Sequence, residues 1–371
     1  MPHILIIGAS YAGTKVAHKV LADIPQANVT LIDPSDVFYF NIASPRILAK
    51  PKEIDFAQVL VPIAEKFKQY PATRFSFVRG LVSSVDERAK TVRIQDGAML
   101  RYDYLVVASG STTPGTVGKE AIPFKPTGQN NMRQAIEAAQ QRIASVSSIA
   151  IIGAGPVGVE MAGEIAQAYP AKKTTLISSH DRVLPALKPS ASKAAASALE
   201  SLGVSILYSS RVTETQQLSP NLNRVALQNG RSVDAELVIS AAGNLPNTSF
   251  LPKPALDAEG WIRVNSELRI SSITDGSAFA LGDATAFKQR YALKINDQIP
   301  VVVANLKAAV LGSKGVGTKR YDANDKLMVF VPVGSKKGTG QIGSFVAPGF
   351  MVAFAKGRDY FMSKGASFIS A

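Results

Sequence analysis

Residues 149–160 read IAIIGAGPVGVE, an apolar strand that runs into a glycine-rich turn, with Gly153, Gly155 and Gly158, and on into a helix. In such a turn the first glycine makes the tight bend and the second lets a pyrophosphate approach the backbone. The third lets the helix pack against the strand, so that the helix N-terminus offers free N–H groups to the phosphates. The chain already opens on the same device. Residues 3–13 read HILIIGASYAG, with Gly8 and Gly13 in the outer places and Ser10 where the middle glycine would stand. One turn of this kind holds one dinucleotide, so two predict a chain that handles two.

Working outward from each turn, short Val/Ile/Leu runs alternate with Ala-rich periodic stretches, the pattern of βαβ units around a parallel sheet. The first block continues through a helix around Gly13 to Leu21 and a strand VTLID ending at Asp33. The second continues through a helix around Gly158 to Tyr169 and a strand TTLIS ending at Ser178. RYDYLVVASGSTTPG, residues 101–115, reads as a strand closing the first block, followed by a linker. AELVISAAGNLPNT, residues 235–248 and including Gly243, is its counterpart in the second. AFALGDA, residues 278–284, is a further strand and turn that comes too late to belong to the second block.

The expected fold is therefore α/β, with two Rossmann-like dinucleotide-binding domains, the second inserted in the first, and a small C-terminal α+β interface domain. The boundaries read as 1–114 with 249–300 for the first domain, 115–248 for the second and 301–371 for the last. From Pro300 onward the pattern is a strand pair and a final helix rich in Phe and Met.

Composition narrows the chemistry. At 371 residues, 46% hydrophobic and 19% charged, the chain is globular and long enough for two or three cores. It has no cysteine, which excludes a disulfide framework, thiolate metal sites and electron transfer through a cysteine pair. No metal site is expected. No run approaches the apolar length that crosses a membrane, and Met1-Pro2 precedes the first strand with no leader and no glycine to myristoylate. A cytoplasmic chain is the simplest reading, as a monomer or weak homodimer.

The net charge of +13 suits nucleic acid, anionic lipid or phosphate-bearing cofactors about equally. Ten Lys/Arg against three Asp lie after residue 300, without the aromatic interleaving of a single-strand binder. Nucleic acid is the weaker reading.

The motif residues divide between two ligands. Asp33 follows Gly8 by 25 residues, where an acid bonds ribose hydroxyls. Its counterpart after Gly153 is Ser178, followed by Ser179, His180, Asp181 and Arg182. An acid there would repel a 2′-phosphate; without one NADPH is admitted beside NADH, and Arg182 can pair with the phosphate. Asp283 after Gly282 would accept from ribityl hydroxyls, and Ser109 with Gly110 in LVVASGS would close over a flavin nucleotide. The order of these pieces points to FAD on the first block and NAD(P)H on the second.

This order resembles the two-dinucleotide flavoproteins and, most closely, the apoptosis-inducing-factor-like mitochondrion-associated oxidoreductases, also called the ferroptosis suppressor protein family. The likeness covers essentially the whole chain. It rests on the shared motifs, on FYFNIASPRIL after the second strand and on the C-terminal GTGQIGSF and FMVAFAKGRDYFMSK. The resemblance implies FAD bound through residues 8–13 (Gly8, Ser10, Tyr11, Ala12 and Gly13), Arg46, the Val82 backbone, Asp283, Lys356 and Phe361. It implies a nicotinamide dinucleotide on Gly153, Gly155, Val157 and Gly158, with Gly243 beside it. Glu160 would lie near the flavin–nicotinamide contact and Lys119 at the entrance, giving Glu160, Lys119 and Lys356 as catalytic candidates.

It further implies a quinone-like acceptor and peripheral docking on mitochondrial or lipid-droplet membranes. The tail residues Phe350, Met351, Val352, Phe354, Tyr360, Phe361, Met362, Phe368 and Ile369, beside Lys356, Arg358 and Lys364, suit an anionic membrane surface or a packed interior. Two other readings stay open: a tailoring flavin oxidoreductase acting on a small metabolite, and a nucleic-acid-binding or death-signalling protein with a regulatory nucleotide fold.

Overall fold

The structure is a computed structural model and describes residues 1–118, 120–128, 131–288, 290–312, 317–323 and 327–371. In the strand His3–Ile7 the apolar residues cover both faces because both faces are enclosed: Ile4, Leu5 and Ile6 expose nothing. Each contributes about 1.5–3 kcal/mol by burial. Such a strand belongs in the middle of a parallel sheet. It lies third of five in the order Ala278–Ala280, Tyr104–Val107, His3–Ile7, Asn28–Asp33, Phe75–Arg79, all parallel.

Before the late strand Ala278–Ala280 completes that sheet, the chain builds a second one. Its order is Ser205–Leu207, Lys173–Ile177, Ser148–Ile152, Leu237–Ser240, again all parallel. The second unit is thus inserted in the first, as the position of AFALGDA requires. The two linkers meet as a short antiparallel pair, Ser111–Thr112 against Leu245–Pro246.

The helices after the two glycine turns, Tyr11–Asp23 and Pro156–Ala168, are built alike. Each stops just ahead of an X-Pro pair, at Ile24 before Pro25 and at Tyr169 before Pro170. A proline ring crowds the preceding residue out of the helical region, so both ends are written in the sequence. Gly8 and Gly153 take φ of +104° and +106°. Side chains at Gly13 and Gly158 are excluded by space: a Cβ would lie 1.8 Å from the carbonyl oxygen of Gly8 or Gly153. The middle positions differ in residue and agree in shape, Ser10 at φ −92°, ψ −155° and Gly155 at φ −75°, ψ −176°. Extended backbone accepts a side chain, so serine replaces glycine there without strain.

One expected boundary falls inside an element. The helix Ala292–Leu311 runs through residue 300 and packs Ile295, Ile299, Val302 and Leu306 with Val16, Ala17 and Val20 of the first helix. Gln298 Oε1 also accepts from the N–H of Gly282 at 2.7 Å, which ties this helix to the first unit. Pro300 reads as a breaker in sequence, and only the packing of the whole helix overrides it.

The C-terminal part is an antiparallel sheet of Met328–Val333, Lys337–Ile342 and Phe345–Ala347, one strand more than expected. In place of a single final helix there follow a short helix Gly349–Val352, a widened turn Ala353–Gly357 and a 3₁₀ segment Met362–Ile369. Tyr360 and Phe361 between them both hold positive φ, 52° and 63°. Bulky residues held there cost about 1–3 kcal/mol each and cluster at functional sites. The tail divides: Val352, Tyr360, Met362 and Ile369 are buried, while Phe350 and Phe354 are 74% and 78% exposed.

His18 of the first helix latches the chain end. Its ring stacks on Phe67 at 4.1 Å; Nε2 lies 3.1 Å from the Ile369 carbonyl and Nδ1 3.1 Å from the Tyr70 hydroxyl. A carbonyl only accepts, so Nε2 carries the proton and Nδ1 accepts from Tyr70. Burial, then the nearby Lys15 and Lys66 charges, push the imidazole down from 6.5 to about 4 against the Ile369 bond. Between those values the unfolded chain binds a proton that the folded chain does not. This contribution is complete above pH 6.5 and is lost as pH falls toward 4. In thermal scans from pH 7 to 4.5, His18→Gln should therefore lose fewer degrees than wild type. Equal losses would refute the latch.

Candidate functional site

The first turn lies where the central strands of the first sheet end, the position at which open α/β sheets bind ligands. Asp33, at the end of Asn28–Asp33, accepts from the N–H of Ala9 at 2.7 Å and of Ser35 at 2.9 Å, bracing the turn from behind. Burial pushes its carboxyl up to about 6 against those two bonds. Tyr11 packs edge-on against Phe38 at 5.0 Å and Phe368 at 5.8 Å, which brings the chain end to the start of the first helix. Ala12 lies beside Gly282, at 3.6 Å from where a Cβ on Gly282 would stand.

Gly110 and Gly282 hold φ of 66° and 75°, and the hydroxyls of Ser109 and Thr112 are buried with no partner among the described residues. Asp283 pairs with Lys125 Nζ at 2.8 Å and receives the Ser111 hydroxyl at 3.5 Å. Lys125 was not among the expected residues. It sits in a linker with no motif around it, and only the fold carries it to Asp283.

At the second turn, a Cβ on Gly155 would meet nothing within 4 Å, so the backbone there is open to approach. Val157 is 39% exposed beside it, and Gly243, at φ 81°, packs toward Pro114. Ser178 donates to the Arg182 carbonyl at 2.9 Å and accepts from the His180 N–H at 3.2 Å, closing a small turn at the strand end. Arg182 reaches the Pro185 carbonyl at 3.1 Å and Asp181 at 3.8 Å, and its Nε is buried without a partner among the described residues.

Glu160, one turn into the helix Pro156–Ala168, is 3% exposed and accepts from Lys356 Nζ at 2.6 Å. Burial pushes its carboxyl up to about 6; Lys356 opposes the shift and Glu164 adds to it. Lys356 also lies 5.3 Å from the Tyr360 ring centre. The pair joins the second unit to the C-terminal segment, from residues 196 positions apart.

Three implied flavin contacts stand as follows in three dimensions. Arg46 is 1% exposed, and its guanidinium is taken up by protein: Glu164 at 2.5 and 2.9 Å, Glu53 at 3.3 Å, and the carbonyls of Gly357 at 2.9 Å and Arg358 at 3.3 Å. Few of its N–H donors remain for a ligand. Val82 begins a strand, pairs with Ile94 and puts its side chain in the core, so only its backbone is offered. Phe361 packs against the first unit's core, its N–H bonded to Asp359 at 2.9 Å. Lys119 lies outside the described residues. Among those residues no three His, Cys, Asp or Glu are placed to hold a metal, and no helix is long and apolar enough to cross a membrane.

The chain matches the family model described as pyridine nucleotide-disulphide oxidoreductase over residues 2–308. It is 34% identical to oxidoreductase ptaL of Pestalotiopsis fici, with 95% of this chain and 94% of that protein aligned. It is 30% identical to human ferroptosis suppressor protein 1, with 97% and 94% aligned. Among solved structures it is similar to the sulfide:quinone oxidoreductase of Aquifex aeolicus, with a TM-score of 0.79, 16% identity and coverage of 99% and 92%, a likeness of fold. Without cysteine it has no disulphide chemistry of its own. With two nucleotide turns in one inserted fold and that family match, the chain belongs to the pyridine nucleotide-disulphide oxidoreductase family and is an FAD-dependent NAD(P)H oxidoreductase.

Proposed function

We propose that the chain binds FAD on the first turn and NAD(P)H on the second and delivers electrons to a quinone-like acceptor. The observation that carries this reading is the pair of equivalent glycine turns, with a buried carboxylate–ammonium contact, Glu160 to Lys356, tying the helix of the second turn to the C-terminal segment. The first cleft fits FAD: the Ser109 and Thr112 hydroxyls are buried without partners among the described residues, and Asp283 has an oxygen to offer ribityl hydroxyls.

When bound, FAD supplies a ring nitrogen that accepts a hydride from NAD(P)H. The protein does the rest. Gly8 to Gly13 and Gly153 to Gly158 hold the two pyrophosphates, Asp33 braces the first turn, and Lys356 holds a positive charge and a proton at Nζ against Glu160. The domain limits that suit this division are those expected from the sequence, with the last moved beyond Leu311.

The quinone-like acceptor draws support from the name of one relative in fold, the sulfide:quinone oxidoreductase. A small-metabolite acceptor is the second reading. An absorption spectrum of the purified protein, followed by anaerobic NADH or NADPH and then by a short-chain quinone, tests all of this. Yellow protein that bleaches and regains colour with quinone is expected. A protein that takes up no FAD ends the proposal.

Two finer assignments follow. Ser178 in place of an acid and Arg182 beside it favour NADPH, so Arg182→Ala should raise KM for NADPH about tenfold, as loss of one charge-assisted contact would, and leave NADH unchanged. Equal effects on both donors would sink that assignment. Phe350 and Phe354 are exposed, Phe350 beside Lys336 and Lys337, and suit docking on an anionic membrane. Replacing both with serine should abolish sedimentation with phosphatidylserine vesicles at low salt; unchanged sedimentation would refute it.

A further inference from the structure

Glu160, Gly163, Glu164 and Gln167 occupy one face of the helix Pro156–Ala168, at spacings that stack them in line. Between them they meet both the first unit and the C-terminal part of the molecule. Glu160 takes Lys356 from the C-terminal segment. At Gly163 a Cβ would lie 2.9 Å from the N of Gly334 and 3.0 Å from Cα of Val333, so the helix backbone rests directly on the C-terminal sheet.

Glu164, with no exposed surface, takes Arg46 through both oxygens and Lys50 Nζ at 3.2 Å, both from the first unit. Gln167 accepts from Lys50 at 2.6 Å and from the Ser335 N–H at 3.0 Å, and donates to the Ser335 hydroxyl at 3.1 Å. Arg46 closes the circuit on the carbonyls of Gly357 and Arg358, beside the residue that pairs with Glu160, with its guanidinium 4.9 Å from the Tyr360 ring centre.

We infer that Glu164 is a positioning residue for transfer between the two nucleotides. Through Arg46 and Lys50 it locks the helix that begins at the second glycine turn to the first unit, and through Arg46 it holds the backbone that carries Lys356. Arg46 then acts as the bolt of this lock in place of a flavin ligand. The physical reason is direction: a bidentate carboxylate–guanidinium fork fixes angle as well as distance, and a buried one has no water to replace it. A shift of the helix by an ångström would move one dinucleotide against the other, and misplacement of that size slows a transfer about 100-fold.

The inference rests on the reading that FAD and NAD(P)H lie on the two turns, and the test separates the two. Wild type, Glu164→Gln, Glu164→Asp and Arg46→Lys are purified and compared in flavin content, in anaerobic flavin reduction by NADH and NADPH, and in hydrogen exchange of residues 44–50 and 353–360. Glu164→Gln should keep its FAD and its apparent affinity for NAD(P)H, reduce flavin about 10- to 100-fold more slowly, and exchange faster in both segments. Glu164→Asp should recover part of the rate. Lys50→Met carries the test should Glu164→Gln not purify folded, with a loss of about threefold and faster exchange in the same segments.

A wild type without FAD overturns the reading and the inference together. A wild type that bleaches while Glu164→Gln bleaches equally fast overturns the inference alone, as does unchanged exchange in both segments. Arg46→Lys that loses FAD while its exchange stays unchanged returns Arg46 to the flavin and also overturns it.

Discussion

Lys356→Met protein should be isolated with its FAD and turn over NAD(P)H about 100-fold more slowly than wild type, or worse, the usual scale for losing a positioned proton-bearing group. Glu160 is buried and has Lys356 as its ion-pair partner at 2.6 Å. Burial already pushes that carboxyl up to about 6 with the ammonium in place. Without it the carboxyl rises further and is protonated at neutral pH, so one substitution removes both charges. The double variant Lys356→Met/Glu160→Gln should then be little worse than Lys356→Met alone, since the two act as a unit. Steady-state kinetics on the three proteins decides it; losses that multiply would show that the residues act separately.

The pH profile gives a second view of the same pair. The folded-state value of Glu160 is raised from 4.5 to about 6, so the ion pair is complete above that value and fails as pH falls through it. Wild-type turnover should therefore show an ascending limb near pH 6 that Glu160→Gln lacks.

Gly158→Ala and Gly13→Ala should cripple different halves of the enzyme. In both, the new methyl would lie 1.8 Å from a backbone carbonyl oxygen, closer than any contact tolerates, so helix and strand must separate. Overpacking of this kind costs about 1–3 kcal/mol and here also displaces the helix N-terminus from the phosphates. Gly158→Ala should stay yellow and still bleach with dithionite while no longer bleaching with NAD(P)H. Gly13→Ala should come out colourless. If Gly13→Ala holds flavin and Gly158→Ala does not, the two nucleotides are assigned to the wrong turns.

Much of this architecture was legible because it depends on local chemistry. The strands HILII and SIAII, the glycine spacings and the X-Pro stops at Ile24 and Tyr169 each act within a few residues. Order along the chain supplied the insertion, since AFALGDA had no place in the second sheet. The helix through Pro300 was not legible, because a proline reads as a breaker wherever tertiary packing does not compensate for it. Nor was the third C-terminal strand, only three residues long at Phe345–Ala347.

The site divides along the same line. Turn geometry placed Gly8, Gly13, Gly153 and Gly158, and family likeness singled out Glu160 and Lys356. Nothing in sequence could show that Arg46 answers to Glu164 from 118 residues away, or that Lys125 reaches Asp283 from 158 residues away. Backbone sterics act between neighbours, so the amino-acid order alone determined two nucleotide turns and the units that carry them. Charge pairing inside a low-dielectric core acts between whichever groups the packed units bring together, so the tertiary structure alone decided which cations face which carboxylates.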